Sequence, residues 1–298
     1  MYRATPYISL CLLLACRLLQ GQVIEEHVDF DRPEAWAMAY FTAAGLMQGN
    51  EPPQSLQPGQ WALGFDVSNI PELSREERTV GFNGIKEENM NKAPFIARPL
   101  LHYGITNRVS LTASYVPPVE IFDRLETHLA ALYVNWKVWS GESFYLNLRG
   151  GGQWSEAKGD FTCPAEIAGI MDPEINPYGC EEPSHDTFLS LTGTVELTAG
   201  YHLPTKWPIS TYLSAAYTYA DLEFKVDAHW AGGVEDRRQL YADGGIWTFG
   251  AGLKAEVTDR IHASLTLVHA PLDVRRPPDY GVENDSLTYV RLAVHLLL

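Results

Sequence analysis

The sequence predicts an all-β fold: an antiparallel, up-and-down transmembrane β-barrel of about ten strands, with eight and twelve as the neighbouring even counts, preceded by a short N-terminal helix. Three observations predict it. From residue 60 onward apolar and polar residues alternate with period two, as in "IWTFGAGLKAEV", which sets Trp247, Phe249, Ala251, Leu253, Ala255 and Val257 against Thr248, Gly250, Gly252, Lys254 and Glu256. Many runs reach the roughly 9–11 residues that a tilted strand needs to cross a bilayer, against about five or six for an ordinary strand. Long and short connections then alternate strictly, the asymmetry of barrels with tight turns on one side of a membrane and loops on the other.

Taken in order, residues 1–21 read as a signal peptide, with Arg3 ahead of an apolar core over residues 7–15. Gly21 suits ordinary processing, which Arg17 favours; "LLAC" resembles a lipobox that would leave Cys16 lipidated, and both readings stay open. Residues 22–59 form a periplasmic segment with a helix over 31–48, in which Asp31 is the cap, Pro33 sits in the first turn, Glu34 is the capping-box partner and Gly49 ends the run. Trp36, Met38, Tyr40, Phe41, Leu46 and Met47 make this helix apolar on nearly every face, so it must be covered, by capping the periplasmic mouth or plugging the lumen, with the membrane surface as the alternative.

The barrel occupies residues 60–298, with strands at 60–69, 95–105, 108–117, 128–139, 143–158, 185–203, 207–225, 244–257, 260–270 and 287–297. Long linkers cover 70–94, 118–127, 159–184, 226–243 and 271–286, while the short ones sit at "TN", "SGE", "PTK" and "TD". A soluble sandwich has no reason to put every long loop at one end. "ITNRVSLTASYVPPVEI" and "VTDRIHASLTLVHAPLDV" repeat one hairpin element, with Asn or Asp supplying the turn chemistry.

The formal net charge of −15 excludes nucleic acid as a partner, because phosphate binding needs clustered Lys and Arg. Cys163 and Cys180 are an even pair in an exported chain and are expected to form a disulfide, a constraint worth roughly 3 kcal/mol for a loop of this size. Strand parity points Asp66, Arg98, His102, Lys137, Arg149, Glu196, Lys254, Glu256, Arg291 and His295 into the lumen. Mixed signs there predict a paired structural network, with a polar path for small solutes as the alternative.

The 159–186 stretch carries seven acids and no Lys or Arg. Asp172, Glu174, Glu181 and Glu182 are weak candidates for Ca²⁺, but the spacing matches no EF-hand, so the expectation is no cofactor and a solvated acidic loop. "KVDAHW" offers Asp227 and His229 as weak catalytic candidates; Gly-x-Ser-x-Gly, Walker A and HExxH are absent, and the balance is against an enzyme.

The last residues, "YVRLAVHLLL", place Val290, Leu292, Val294, Leu296 and Leu298 at alternate positions. With the strand pattern over roughly residues 60–298, this resembles the Gram-negative outer-membrane β-barrel superfamily, without pointing to a subfamily. Members typically end in an aromatic residue, where this chain has Leu298. The resemblance implies an outer-membrane location, insertion by the barrel insertion machinery, and lipid and lipopolysaccharide as partners. It also implies passage or binding of a small solute, or surface interaction through the outer loops. The competing readings are a rim-located, omptin-like hydrolase using Asp227 and His229, and a soluble periplasmic β-protein.

Overall fold

The structure, a computed structural model, describes residues 23–49, 52–53, 56–121, 125–278 and 281–298; the expected signal peptide and Cys16 lie outside them. Ten long strands form the wall: β1 (Trp61–Asn69), β2 (Phe95–Gly104), β3 (Val109–Ile121), β4 (Leu125–Ser140), β5 (Phe144–Gly159), β6 (Asp186–His202), β7 (Ile209–Lys225), β8 (Arg238–Glu256), β9 (Ile261–Ala270) and β10 (Leu287–Leu297). Each pairs antiparallel with its sequence neighbour, and β10 returns to β1 from Arg291↔Ser68 to Leu297↔Ala62. The barrel is closed, so no sheet edge is left for hydrocarbon, which has no partner for backbone N–H and C=O groups.

Three expected boundaries move. β8 begins at Arg238 rather than 244, because Leu240 and Ala242 continue its inward apolar row. β3 and β4 run on past 117 and before 128, which shrinks the expected 118–127 linker to residues 122–124 and extends the hairpin outward. The remaining short turns share one end of the barrel with Leu298, and the long loops crown the other. These are its inner and outer ends.

The outward face is an apolar belt. Leu63, Phe65, Leu132, Val134, Leu191, Val195, Leu197, Leu213, Leu265, Leu267, Val290, Leu292, Val294 and Leu296 are all exposed. Their inward neighbours Asp66, Thr112, Thr192, Thr198, Thr218, Thr248, Thr266 and Arg291 are buried. A continuous band of this kind suits acyl chains, and among the described residues no helix is long and apolar enough to cross a membrane.

The N-terminal segment does not stand apart in the periplasm. The short strand Ile24–His27 joins the outer end of β8 in parallel, Ile24↔Arg238 to His27↔Tyr241. Gly244 lets it turn inward: a Cβ there would lie 2.5 Å from the Phe30 ring. The helix α1 (Pro33–Gly45) then descends the lumen. Near its start Trp36 Nε1 donates to Asp285 O at 3.2 Å, and Tyr40 OH donates to Pro71 O at 2.7 Å. At the inner mouth Gly59 N reaches Gly104 O at 2.7 Å, and β1 begins two residues later. The chain therefore passes through the barrel from outer to inner end before building its wall.

The reason is burial. α1 is apolar all round, and the outer half of the lumen offers Phe188, Leu222, Leu240, Ile246, Val268 and Leu287 as its cover, in one continuous core. α1 is also shorter than the expected 31–48. Arg32, not Asp31, holds the N-cap position and makes no side-chain cap bond, while Glu34 turns to Arg32 and to the Asn83 N–H instead of closing a capping box. The last turn, 46–48, is unwound by the groups that take its carbonyls.

Candidate functional site: the plug, its arginine clamp and the lumenal cavities

A helix ends with carbonyls lacking intrahelical partners and with roughly half a negative charge. Where α1 ends, β2, β5 and β10 point arginines at it. Arg98 donates through Nη1 to Gly45 O at 2.5 Å and through Nη2 to Leu46 O at 3.2 Å. Arg149 Nη1 donates to Met47 O at 2.6 Å, and Arg291 donates to the carbonyls of Leu46 and Gln48. Gln153 Nε2 adds a bond to Gly45 O at 3.1 Å. Gly49, in the left-handed region at φ 77°, reverses the chain so that its N–H donates to Glu196 Oε1 at 3.0 Å.

The arginines are balanced locally. Asp66 takes Arg98 in a two-point pair, Nε to Oδ1 at 3.0 Å and Nη2 to Oδ2 at 2.8 Å, and lies 3.6 Å from Arg291 Nε. Glu196 Oε2 stands 3.3 Å from Arg149 Nη1. Three guanidiniums thus face two carboxylates and the negative helix end, and all five side chains are buried. The arrangement fixes the plug.

The other expected lumen residues fall nearer the inner mouth. His102 and His295 meet at 3.0 Å between Nε2 and Nδ1, with His102 Nδ1 on Thr112 Oγ1 at 2.9 Å. Lys254 lies over the rings of Tyr145 and Tyr212, 5.7 and 4.7 Å from their centroids. Lys137 is half-buried, and Glu256 is exposed at the rim, 4.0 Å from His262 Nδ1. Lys254, Glu256, His262 and His295, with Pro52 and Pro53, line an inner vestibule of about 300 Å³.

Sequence reasoning missed the apolar cavities beside α1. One of about 150 Å³ lies between the helix and strands β2 to β5, against Phe41, Met90, Ile96, Leu129, Phe161 and Phe188. A smaller one of about 70 Å³ shares Phe41, Met90, Phe161 and Phe188 and adjoins β7 and β8. The signal was present in the inward parity of Phe188, Leu222 and Leu240, continuing into stretches beyond the membrane band.

At the outer end the disulfide Cys163–Cys180 is formed, with Cα atoms 5.7 Å apart. The acidic loop around it does not gather its carboxylates. Glu182 pairs with His229, Glu181 accepts from Gly232 N at 3.0 Å, and Asp172 accepts from Glu174 N at 2.9 Å. Among the described residues no three His, Cys, Asp or Glu side chains converge as a metal site, so the Ca²⁺ candidates are dispersed. Asp227 and His229 are not assembled as a pair either: His229 engages Glu182 and Glu235, while the Asp227 N–H donates to Asp186 Oδ1 at 3.1 Å.

The loops are knitted over the lumen. Lys86 Nζ bonds Glu88 Oε2 at 2.5 Å and Thr162 O at 2.6 Å, Asn89 N donates to Phe161 O at 2.8 Å, and Lys92 pairs with Asp160. Burial pushes the Glu88 carboxyl up to about 8, against the opposing pull of the Lys86 ammonium.

No protein-family model matches the chain. No curated protein matches it either. Among solved structures it is similar to the translocator domain of the autotransporter NalP from Neisseria meningitidis, with 10% identity, 89% of this chain and 98% of that one covered, and a TM-score of 0.46. The outer membrane protease OmpT from Escherichia coli gives 8% identity, 80% and 94% coverage and a TM-score of 0.39. The toluene transporter TbuX of Ralstonia pickettii gives 9%, 82% and 90%, and 0.35. Likeness at this level transfers no residue role. Ten closed antiparallel strands, an uncovered apolar belt and loops crowded at one end make the protein a transmembrane β-barrel that holds its own N-terminal helix in the lumen.

Proposed function

We propose that this barrel binds a small apolar molecule, about the size of a single ring or a short alkyl chain, between α1 and the outer half of the wall, and is not an open pore. The observation that carries the reading is the apolar cavity of about 150 Å³ beside the plug. An engineered cavity of similar size, about 150 Å³ and lined by Leu, Ile and Phe, stays dry and takes up benzene. α1 and its arginine clamp fill the lumen below, which argues against solute passage along the axis.

Fluorobenzene followed by ¹⁹F NMR, with the refolded barrel in lipid nanodiscs, tests this. The wild type is expected to give a saturable bound resonance distinct from probe in lipid. Ala157→Trp, which fills the cavity from β5, is expected to weaken binding at least tenfold. A wild-type barrel with no bound resonance overturns the reading.

A further inference from the structure

The seam between β2 and β3 is incomplete. β2 runs from Phe95 and β3 runs to Ile121, yet their ladder holds only from Leu100↔Ser114 to Gly104↔Ser110. On its other edge β2 stays paired with β1 as far as Phe95↔Asn69, so the strand itself has not frayed. Continuing the β2–β3 register would set Pro99 against Tyr115, Ala97 against Pro117 and Phe95 against Val119. Pro99, Pro117 and Pro118 have no N–H to give a ladder. The same two prolines of β3 break its register with β4 between Val116 and Val119. The β8–β9 ladder also ends below the outer tip of β8, at Phe249↔His269, but there the strand Ile24–His27 takes the outermost part of the edge, Arg238 to Tyr241; the gap at β2–β3 has no added strand among the described residues.

The larger apolar cavity reaches this gap. Its lining includes inward-facing Ile96, Val116 and Leu129, and also Phe95, Ala97 and His128 from the opposite face of the same strands. Residues of both parities beside the gap border this space, which therefore reaches into the unpaired seam. Outside, Tyr115, His128 and Trp154 form an edge-to-face row with centroids 5.5 and 4.8 Å apart. Tyr115 is level with Ala130 and, across β4, with Trp154, at the outer border of the apolar belt, where aromatic rings mark the membrane interface. From the water side the cavity is covered by Met90 and Phe161 of the knitted loops, and from below by α1 and the arginine clamp.

We infer that the β2–β3 gap is a lateral port, through which an apolar molecule dissolved in the outer leaflet enters the cavity without crossing water. The inference rests on the cavity reading above and adds the route and the source: the ligand is a membrane-partitioned, uncharged apolar compound. The prolines keep the port open by denying it a ladder.

The test closes the port at Ala97 and Pro117, on the outward face of the seam, and leaves the inward lining of Phe41, Ile96, Leu129 and Phe188 as it is. Ala97→Cys with Pro117→Cys, joined by a short bis-maleimide, staples β2 to β3. Val67→Cys with Leu292→Cys, stapled the same way, is the control on a seam that is already paired. Fluorobenzene exchange between nanodisc lipid and the bound state is read by ¹⁹F exchange spectroscopy, on protein that keeps its heat-modifiable gel migration. The β2–β3 staple is expected to slow exchange at least tenfold while the control staple leaves it unchanged. Ala97→Trp, which narrows the mouth without a cross-link, is expected to slow exchange in the same direction. Unchanged exchange in both closures overturns the port while leaving the cavity standing; a missing bound resonance in the unstapled protein overturns the cavity and the port together.

Discussion

Arg98 shows how closely charge is accounted for inside this barrel. Its guanidinium serves a carboxylate and two helix carbonyls at once, in a place where neither has water to fall back on. Arg98→Ala should therefore leave Asp66 charged and short of its main partner, a loss of roughly 3–5 kcal/mol. Urea unfolding of the barrel in lipid vesicles is the measurement, and a change under about 0.5 kcal/mol, the size of an ordinary surface substitution, would contradict the clamp. Strand parity alone was enough to aim Arg98, Arg149 and Arg291 inward. Their partners were hidden, because Leu46 lies 52 and 245 positions from the arginines that bind it and a carbonyl leaves no trace in side-chain chemistry. Glu256 shows the opposite failure: parity sends it inward, but so near the rim that the lumen has already opened to solvent.

At the scale of elements, the strands were the most legible part and the plug the least. Alternation fixes a strand's two faces whatever surrounds it, so β6, β7 and β10 lie within two residues of expectation. A helix apolar on every side states that it must be buried without stating where. The lateral port was written in "ARPL" and "YVPPVE", but Pro99 and Pro117 fall inside expected strands, and only the pairing shows which ladder they interrupt. The loops have their own electrostatics. Glu88 titrates near 8 in the folded loop against about 4.5 when exposed, so its folded form holds a proton that the unfolded form loses earlier. The stability it contributes is complete below about pH 4.5 and is lost as pH rises through about 8. Hydrogen exchange of the 70–94 loop is expected to show less protection at pH 8.5 than at pH 6 after correction for intrinsic rates, and Glu88→Gln is expected to flatten that difference. An identical slope in the variant would remove Glu88 as the cause.

At the scale of the molecule, the outer half of the lumen resembles the interior of a water-soluble domain, and the middle resembles a buried ion-pair network. The two layers divide the work: apolar burial holds α1, and the arginines fix how deep it sits. An orientation with the long loops outside predicts that the Ile24–His27 strand is at the cell surface, while β1 begins at the opposite rim. Glu25→Cys, at an exposed position on that strand, is expected to react with a membrane-impermeant maleimide on intact cells. Labelling that appears only after the outer membrane is breached would reverse the orientation of the threaded segment.

That threading constrains assembly. A hatch tied to one rim can be fitted after a barrel has closed, whereas a segment held at both rims is an axle through a ring. Closing the ring around it spares the chain from threading an end through a finished lumen. The β1–β10 seam is where the first and last strands of the wall meet, so that order predicts an axle already in place when the seam zips. The C-terminal strand is then more than the final piece of wall: its pairing with β1 closes the barrel over the N-terminal segment.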